Sequence, residues 1–230
     1  MKSLALRIFI ASAGGILGAS AATPVPAWFG GPNSTHQAFL FTSNDTTPDA
    51  NTVQNPYGTP VSTVTLGGFA TGWQNPANPI QQSGALADGA WDLGTAGSIT
   101  VQMNAALNPA PVGSFYRTFF HVYAVAYEAS GFVELPTFET VGLSPVDLLR
   151  TQSLVLNKPP GASYQGILWT GYVDNLTTNS LTFRLNSPAA SLSVVDSFEV
   201  FTQYQLIPEP SAAFLLIAPA LAWTVRRRRA

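Results

Sequence analysis

Residues 181–186 read LTFRLN, and this stretch decides the fold class because its apolar and polar residues alternate strictly. In an extended chain the two leucines and Phe183 share one face, while the threonine, Arg184 and the asparagine share the other. Such alternation is typical of an antiparallel strand with one buried face and one solvated face. The stretch therefore predicts an all-β protein.

Other segments of the chain are also rich in β-branched and aromatic residues, as strands are. They are residues 38–42, 61–66, 98–103, 115–127, 152–157, 167–173 and 192–206. Clusters of Pro, Gly, Asn and Asp separate them. One segment alone, SPVDLLR at residues 144–150, predicts a short helix, with Ser144 as its cap and Pro145 in its first turn. We therefore predict a single antiparallel β-sandwich over residues 23–206, with a jelly roll as a candidate topology.

The composition of this predicted body excludes several classes of protein. The chain has no cysteine, so neither disulfides nor thiolate metal sites can stabilise it. Six of its ten basic residues lie in the terminal segments, which leaves four basic against eleven acidic residues in the body, a net charge of about −7. An acidic surface does not neutralise phosphates, so we expect no nucleic acid among the partners.

The N-terminus, residues 1–22, predicts a signal peptide. Lys2 and Arg7 precede a short apolar stretch, which ends in the small residues GASAA. Cleavage after Ala21 and cleavage after Ala22 fit equally well. We therefore expect an exported protein that is processed by signal peptidase.

The C-terminus, residues 207–230, combines three elements in a fixed order. Pro208, Glu209 and Pro210 come first, an apolar run over residues 212–225 follows, and a cluster of arginines ends the chain: Arg226, Arg227, Arg228 and Arg229. This order resembles the PEP-CTERM sorting domain of Gram-negative bacteria. The resemblance covers about a tenth of the chain.

The resemblance implies that exosortase, an enzyme of the inner membrane, recognises Pro208, Glu209 and Pro210 and processes the protein there. The arginines would act as a membrane stop, because the positive-inside rule keeps them in the cytoplasm. The apolar run is short for a permanent anchor: as a helix, fourteen residues reach about 21 Å, against a hydrocarbon core of roughly 30 Å. We expect a membrane-associated precursor that is released as a mature protein at the cell surface or outside the cell.

The most suggestive side chains of the body lie in the segment 117–127, where both faces are apolar. One parity carries Arg117, His121, Tyr123 and Tyr127, with Phe119 and Val125 between them. Rings beside polar groups on one sheet face are typical of carbohydrate-binding sandwiches, because rings stack on the apolar faces of sugars. The alternative is that these rings belong to the core and face Trp169 or Phe198 across the sandwich.

Catalytic and metal sites have weaker support. Neither histidine, His36 or His121, accompanies a Gly-x-Ser-x-Gly elbow. The acid pairs Asp88 with Asp92 and Glu134 with Glu139 are the candidates for a glycosidase. For a structural calcium ion the candidates are Asp45 with Asp49 and Asp174 with Asp196, but no spaced loop motif accompanies them. We expect no catalytic residues, no metal site and no cofactor.

The sequence thus predicts a non-catalytic envelope or matrix protein, sorted through its C-terminal tail, with exopolysaccharide as a candidate partner. A secreted carbohydrate-binding module is the alternative function. An envelope hydrolase comes third.

Overall fold

The computed structural model describes residues 23–74, 89–104, 111–112, 114–157, 161–174 and 180–208. The predicted signal peptide lies outside these residues, and so does the predicted tail from Glu209 onward. The described residues form twelve β-strands. Within them no helix is present, and hence none that is long and apolar enough to cross a membrane.

The strands, in chain order, are β1 (Ser34–Phe39), β2 (Thr52–Gln54), β3 (Val61–Thr65), β4 (Gly72–Gln74), β5 (Ala90–Asp92), β6 (Ser98–Asn104), β7 (Ser114–Ala129), β8 (Thr137–Thr140), β9 (Val146–Asn157), β10 (Ala162–Asp174), β11 (Ser180–Asn186) and β12 (Val194–Pro208).

Two antiparallel sheets result from the pairing of these strands. The large sheet has the order β2-β1-β12-β7-β10-β9, and β5 extends it by pairing with the start of β12 and with β4. The small sheet has the order β3-β6-β11-β8. A jelly roll has eight strands, so the described residues contain more strands than that topology requires.

The core lies between the two sheets. Ile99 and Val101 of the small sheet and Val122 of the large sheet are fully buried in one cluster. Two ring contacts join the sheets directly: Phe120 meets Phe183 with ring centroids 5.5 Å apart, and Phe138 stacks on Trp169 at 5.3 Å. Because inward-facing side chains from both sheets interdigitate here, the predicted β-sandwich is confirmed.

The alternation predicted for β11 is also confirmed. Leu181, Phe183 and Leu185 are fully buried, whereas the residues between them are half-buried. Arg184 extends from the outer side of the small sheet to Glu139 of β8, with 2.9 Å between its Nη1 and the carboxylate oxygen. The strand therefore buries one face, as its sequence indicates.

The helix predicted for residues 144–150 is wrong. From Val146 the chain is strand β9, in which Val146 pairs with Tyr172 and Arg150 with Trp169 of β10. An isolated helix of two turns is unstable because it forms few internal hydrogen bonds. The backbone of β10 offers these residues a full ladder of hydrogen bonds instead.

Strand β12 holds the large sheet together. It pairs with β7 along its whole length, from Val194 opposite Tyr127 to Pro208 opposite Ser114. On its other side it pairs with β1, so it is an interior strand. It continues to Pro208, two residues beyond the predicted end of the body at residue 206, and thus includes the first residue of the Pro-Glu-Pro motif.

Candidate functional site

Alternate side chains of strand β7 point to opposite faces of the large sheet. Phe120, Val122 and the alanines at 124 and 126 are buried in the core between the sheets. Trp169 and Phe198 pair with Val122 and with Ala124 in the neighbouring strands, so they point to the same inner face. The row lies on the outer face, so it does not face Trp169 or Phe198 across the sandwich. The other part of that alternative, that the row belongs to the core, is confirmed for Tyr123 and Val125, which are buried in a second core cluster.

The first residues of the body cover part of this outer face. We call residues 23–29 the N-terminal strap. The Thr23 hydroxyl donates a hydrogen bond to the Glu199 carboxylate of β12, which also contacts His36 Nε2 at 3.1 Å. The Phe29 ring stands edge-on to Phe201, with ring centroids 5.1 Å apart. The strap thus lies across β1, β12 and β7.

An aromatic cavity lies beside the strap. Its volume is about 300 Å³, and its main lining side chains are Trp28, Phe119, His121, Asp147, Thr170 and Tyr172. Trp28 comes from the strap, Asp147 from β9, and the others from β7 and β10. Gly171 lies in its floor, where a side chain would press on the Phe120 ring and on the Val146 carbonyl. We call this hollow the outer-face cavity.

Arg117 borders the outer-face cavity, and its charge is already engaged. Its Nε and Nη2 each donate a hydrogen bond of 2.8 Å to one of the two carboxylate oxygens of Asp174. Its guanidinium carbon lies 3.8 Å from the centroid of the Tyr172 ring. The paired Asp174 carboxylate raises the pKa of Arg117 above its ordinary value. Arg117 therefore orients Tyr172 and is not a free cation.

Asp147 lines the cavity from a β-bulge in strand β9. Thr170 pairs with Leu149 and Tyr172 pairs with Val146, so two residues of β9 stand opposite one residue of β10. Asp147 is one of the two, and its φ of 50° is in the left-handed region. Bulges redirect side chains, and strained φ values recur at binding sites.

His121 is buried on the outer face, with 8% of its surface exposed. Its ring stands edge-on to Phe201 at 5.7 Å, and its Nε2 has no hydrogen-bond partner within the described part of the chain. Burial lowers the pKa of His121, while the Pro24 backbone carbonyl and the Glu199 charge act in the opposite direction. The neutral ring is therefore the favoured form.

The two tyrosines of the predicted set lie toward the other end of β7. Tyr123 is only 3% exposed and belongs to a small cluster with Val125 and Tyr164. Its burial raises its pKa. Tyr127 is half-buried, contacts the Tyr164 ring at 5.0 Å and lines a second hollow of about 200 Å³ beside Asp92. The predicted row is thus on one face, but its members are separated: His121 lines the outer-face cavity, Arg117 borders it by stacking on Tyr172, and Tyr127 lines the second hollow.

Four side chains of the outer-face cavity do not belong to the predicted row of β7: Trp28, Asp147, Thr170 and Tyr172. Thr170 and Tyr172 could have been found, because they pair with His121 and Phe119 and so share their face. Trp28 carries no such signal, since the strap is not a strand. Asp147 was assigned to the helix that does not form.

Four of the acidic residues proposed as catalytic or calcium candidates make local contacts: Asp45, Asp92, Glu139 and Asp174. Asp92 accepts hydrogen bonds from the Thr71 amide and hydroxyl and from the Gly94 amide. Asp45 accepts from Thr47 in the same way, which lowers the pKa of Asp45. Asp88 lies outside the described residues, so its pairing with Asp92 stays a prediction.

No group of three or more His, Asp or Glu side chains that could hold a metal ion occurs in the described ranges. The outer-face cavity combines rings, one carboxylate, one neutral imidazole and a threonine hydroxyl, which is a set that can bind a polar ligand with an apolar face. No protein-family model matches the chain, and no curated protein is significantly similar to it.

Proposed function

We propose that this protein is an exported, non-catalytic component of the cell envelope or extracellular matrix, sorted and processed through its C-terminal tail. Signal peptidase and exosortase would be its processing enzymes. The inner membrane would hold the precursor for a limited time through the apolar run and the four terminal arginines. The mature body would then act at the cell surface or outside the cell.

One observation supports the proposal: the described strands share only two residues, Ile207 and Pro208 of β12, with the two predicted signals. Thr23, the residue after the second predicted cleavage site, is bound to Glu199 on the surface of the large sheet. At the other end β12 finishes at Pro208, the first residue of the Pro-Glu-Pro motif. Removal of residues 1–22 and of the chain beyond Pro210 would take away no residue of a described strand.

Mass spectrometry of the protein from envelope and medium fractions tests this proposal. We expect a mature N-terminus at Ala22 or Thr23 and the loss of the arginine cluster in cells that possess an exosortase. Glu209→Ala should block the C-terminal processing, whereas Glu134→Ala, which removes an exposed carboxylate of the body, should not. Persistence of the intact tail in mature protein from such cells contradicts the proposal.

Carbohydrate binding is the second candidate function, and a specific observation favours it. Arg117 and His121, two of the four predicted residues, border a cavity whose walls are aromatic. The buried Tyr123 is a poor probe of this function, because its replacement by alanine would disturb packing. Tests of binding are better directed at the cavity itself.

A further inference from the structure

We propose that the outer-face cavity is a subsite for an uncharged saccharide, with Trp28, Phe119 and Tyr172 against the apolar face of the sugar and Asp147 as acceptor for its hydroxyls. This inference rests on the second candidate function above, carbohydrate binding. It assigns that function to a site that differs from the predicted row on β7.

The walls of the cavity supply the apolar half of the interaction. Phe119 and Tyr172 lie side by side on neighbouring strands, with ring centroids 5.7 Å apart, and Trp28 lines the cavity from the strap. The C–H groups of a pyranose form an apolar face that packs on such rings. A volume of about 300 Å³ is at the small end of ligand sites, which suits a short glycan and not a large cofactor.

The charges around the cavity disfavour anionic saccharides. An anionic ligand would meet the Asp147 carboxylate, and it would gain little from Arg117, because two donors of Arg117 already bind the Asp174 carboxylate. A neutral saccharide avoids this repulsion.

Asp147 supplies the polar half. A carboxylate accepts hydrogen bonds only, and its two oxygens can accept from two neighbouring hydroxyls of one sugar. Such bonds are stronger than those between neutral groups. Its left-handed backbone, φ 50°, is a conformation that glycine adopts without steric strain and that aspartate adopts more readily than most residues. Asp147→Gly therefore removes the carboxylate without straining the backbone of the bulge.

The first experiment measures binding of the exported protein, isolated from cells, to immobilised neutral glucan, galactan and mannan oligosaccharides, with polyuronates as charged counterparts. We expect binding to at least one neutral glycan and weaker binding to the polyuronates. If the protein binds none of these glycans, both the subsite and the carbohydrate-binding function are overturned. If it binds polyuronates as well as or better than neutral glycans, the uncharged saccharide is overturned.

The second experiment locates the site with variants. Asp147→Gly should weaken binding tenfold or more while the melting temperature stays equal or rises, and Trp28→Ala should weaken it similarly. Tyr127→Ala, on the same sheet face but in the other hollow, is the matched control and should bind like the wild type. If Asp147→Gly and Trp28→Ala keep wild-type affinity, or if Tyr127→Ala loses it, the subsite is overturned while carbohydrate binding stands.

Discussion

His121 shows how one residue can couple stability to pH. It is buried beside Phe201 and beneath the strap, and burial disfavours its charged form. In the unfolded chain the same imidazole titrates near pH 6.5. Between its lowered folded pKa and that value, the unfolded state binds more protons than the native state. The native state is therefore favoured above about pH 6.5 and loses this advantage as the pH falls.

We expect the free energy of unfolding to decrease from pH 7 to pH 5, and His121→Phe to flatten this dependence because phenylalanine cannot be protonated. Urea denaturation at several pH values measures both. His36→Gln is the control, because it removes the other histidine of the outer face and leaves His121 in place. An equally steep dependence in His121→Phe would show that other groups are responsible.

Gly166 is required by the close approach of β10 to Tyr123. A side chain at this position would overlap the Tyr123 hydroxyl. We expect Gly166→Ala to lower the free energy of unfolding by about 2 kcal/mol, as overpacking does. In a Tyr123→Phe background the cost should be smaller by about 1 kcal/mol, since the nearest clashing atom is gone. A double-mutant cycle by urea denaturation measures the coupling, and purely additive effects would contradict this explanation.

At the scale of elements, the N-terminal strap contributes to the stability of the fold through the contacts of Phe29. Its ring makes edge contacts with His36 and Phe201, at 5.6 and 5.1 Å between centroids. We expect Phe29→Ala to lower the free energy of unfolding by about 1–2 kcal/mol through loss of these contacts. Val25→Ala is the matched control, because Val25 is 61% exposed and should have little effect. Equal effects of the two substitutions would show that the strap is not anchored by Phe29.

The long strands could be predicted from the sequence because each carries its own pattern. The strict alternation of β11 indicates its buried face, and the double apolar pattern of β7 indicates that both of its faces are at least partly covered. The short strands β2, β4, β5 and β8 have three or four residues, too few for a pattern, and they form because a neighbouring backbone offers hydrogen bonds. Residues 144–150 carried a local helix signal that the ladder of β10 overrides.

The outer-face cavity could be predicted only in part, because the pattern of one strand does not show how its neighbours pack against it. The parity of β7 placed Arg117 and His121 on the correct face. It could not tell that Tyr123 is buried by Tyr164, because this depends on how β10 lies beside β7. The parity of β7 also gives no information about Trp28, because the sequence of the strap does not indicate where on the sheet the strap lies.

At the scale of the whole molecule, stability comes from burial and backbone pairing without covalent cross-links, since the chain has no cysteine. We expect residues 23–208 to unfold in one cooperative transition whose midpoint does not change with reductant. Calorimetry with and without a thiol reagent measures this. A chain that ends at Ser193, before β12, should lack the transition, because β1 and β7 would lose the strand between them. A transition retained by that shorter chain would contradict this dependence.

The position of β12 also determines when, during synthesis of the chain, the large sheet can be completed. It is the last described strand to leave the ribosome, and yet it stands in the middle of the large sheet, with β1 on one side and β7 on the other. The large sheet is complete only after almost the entire body has been synthesised. If the chain is exported as proposed, the large sheet is completed only on the far side of the membrane.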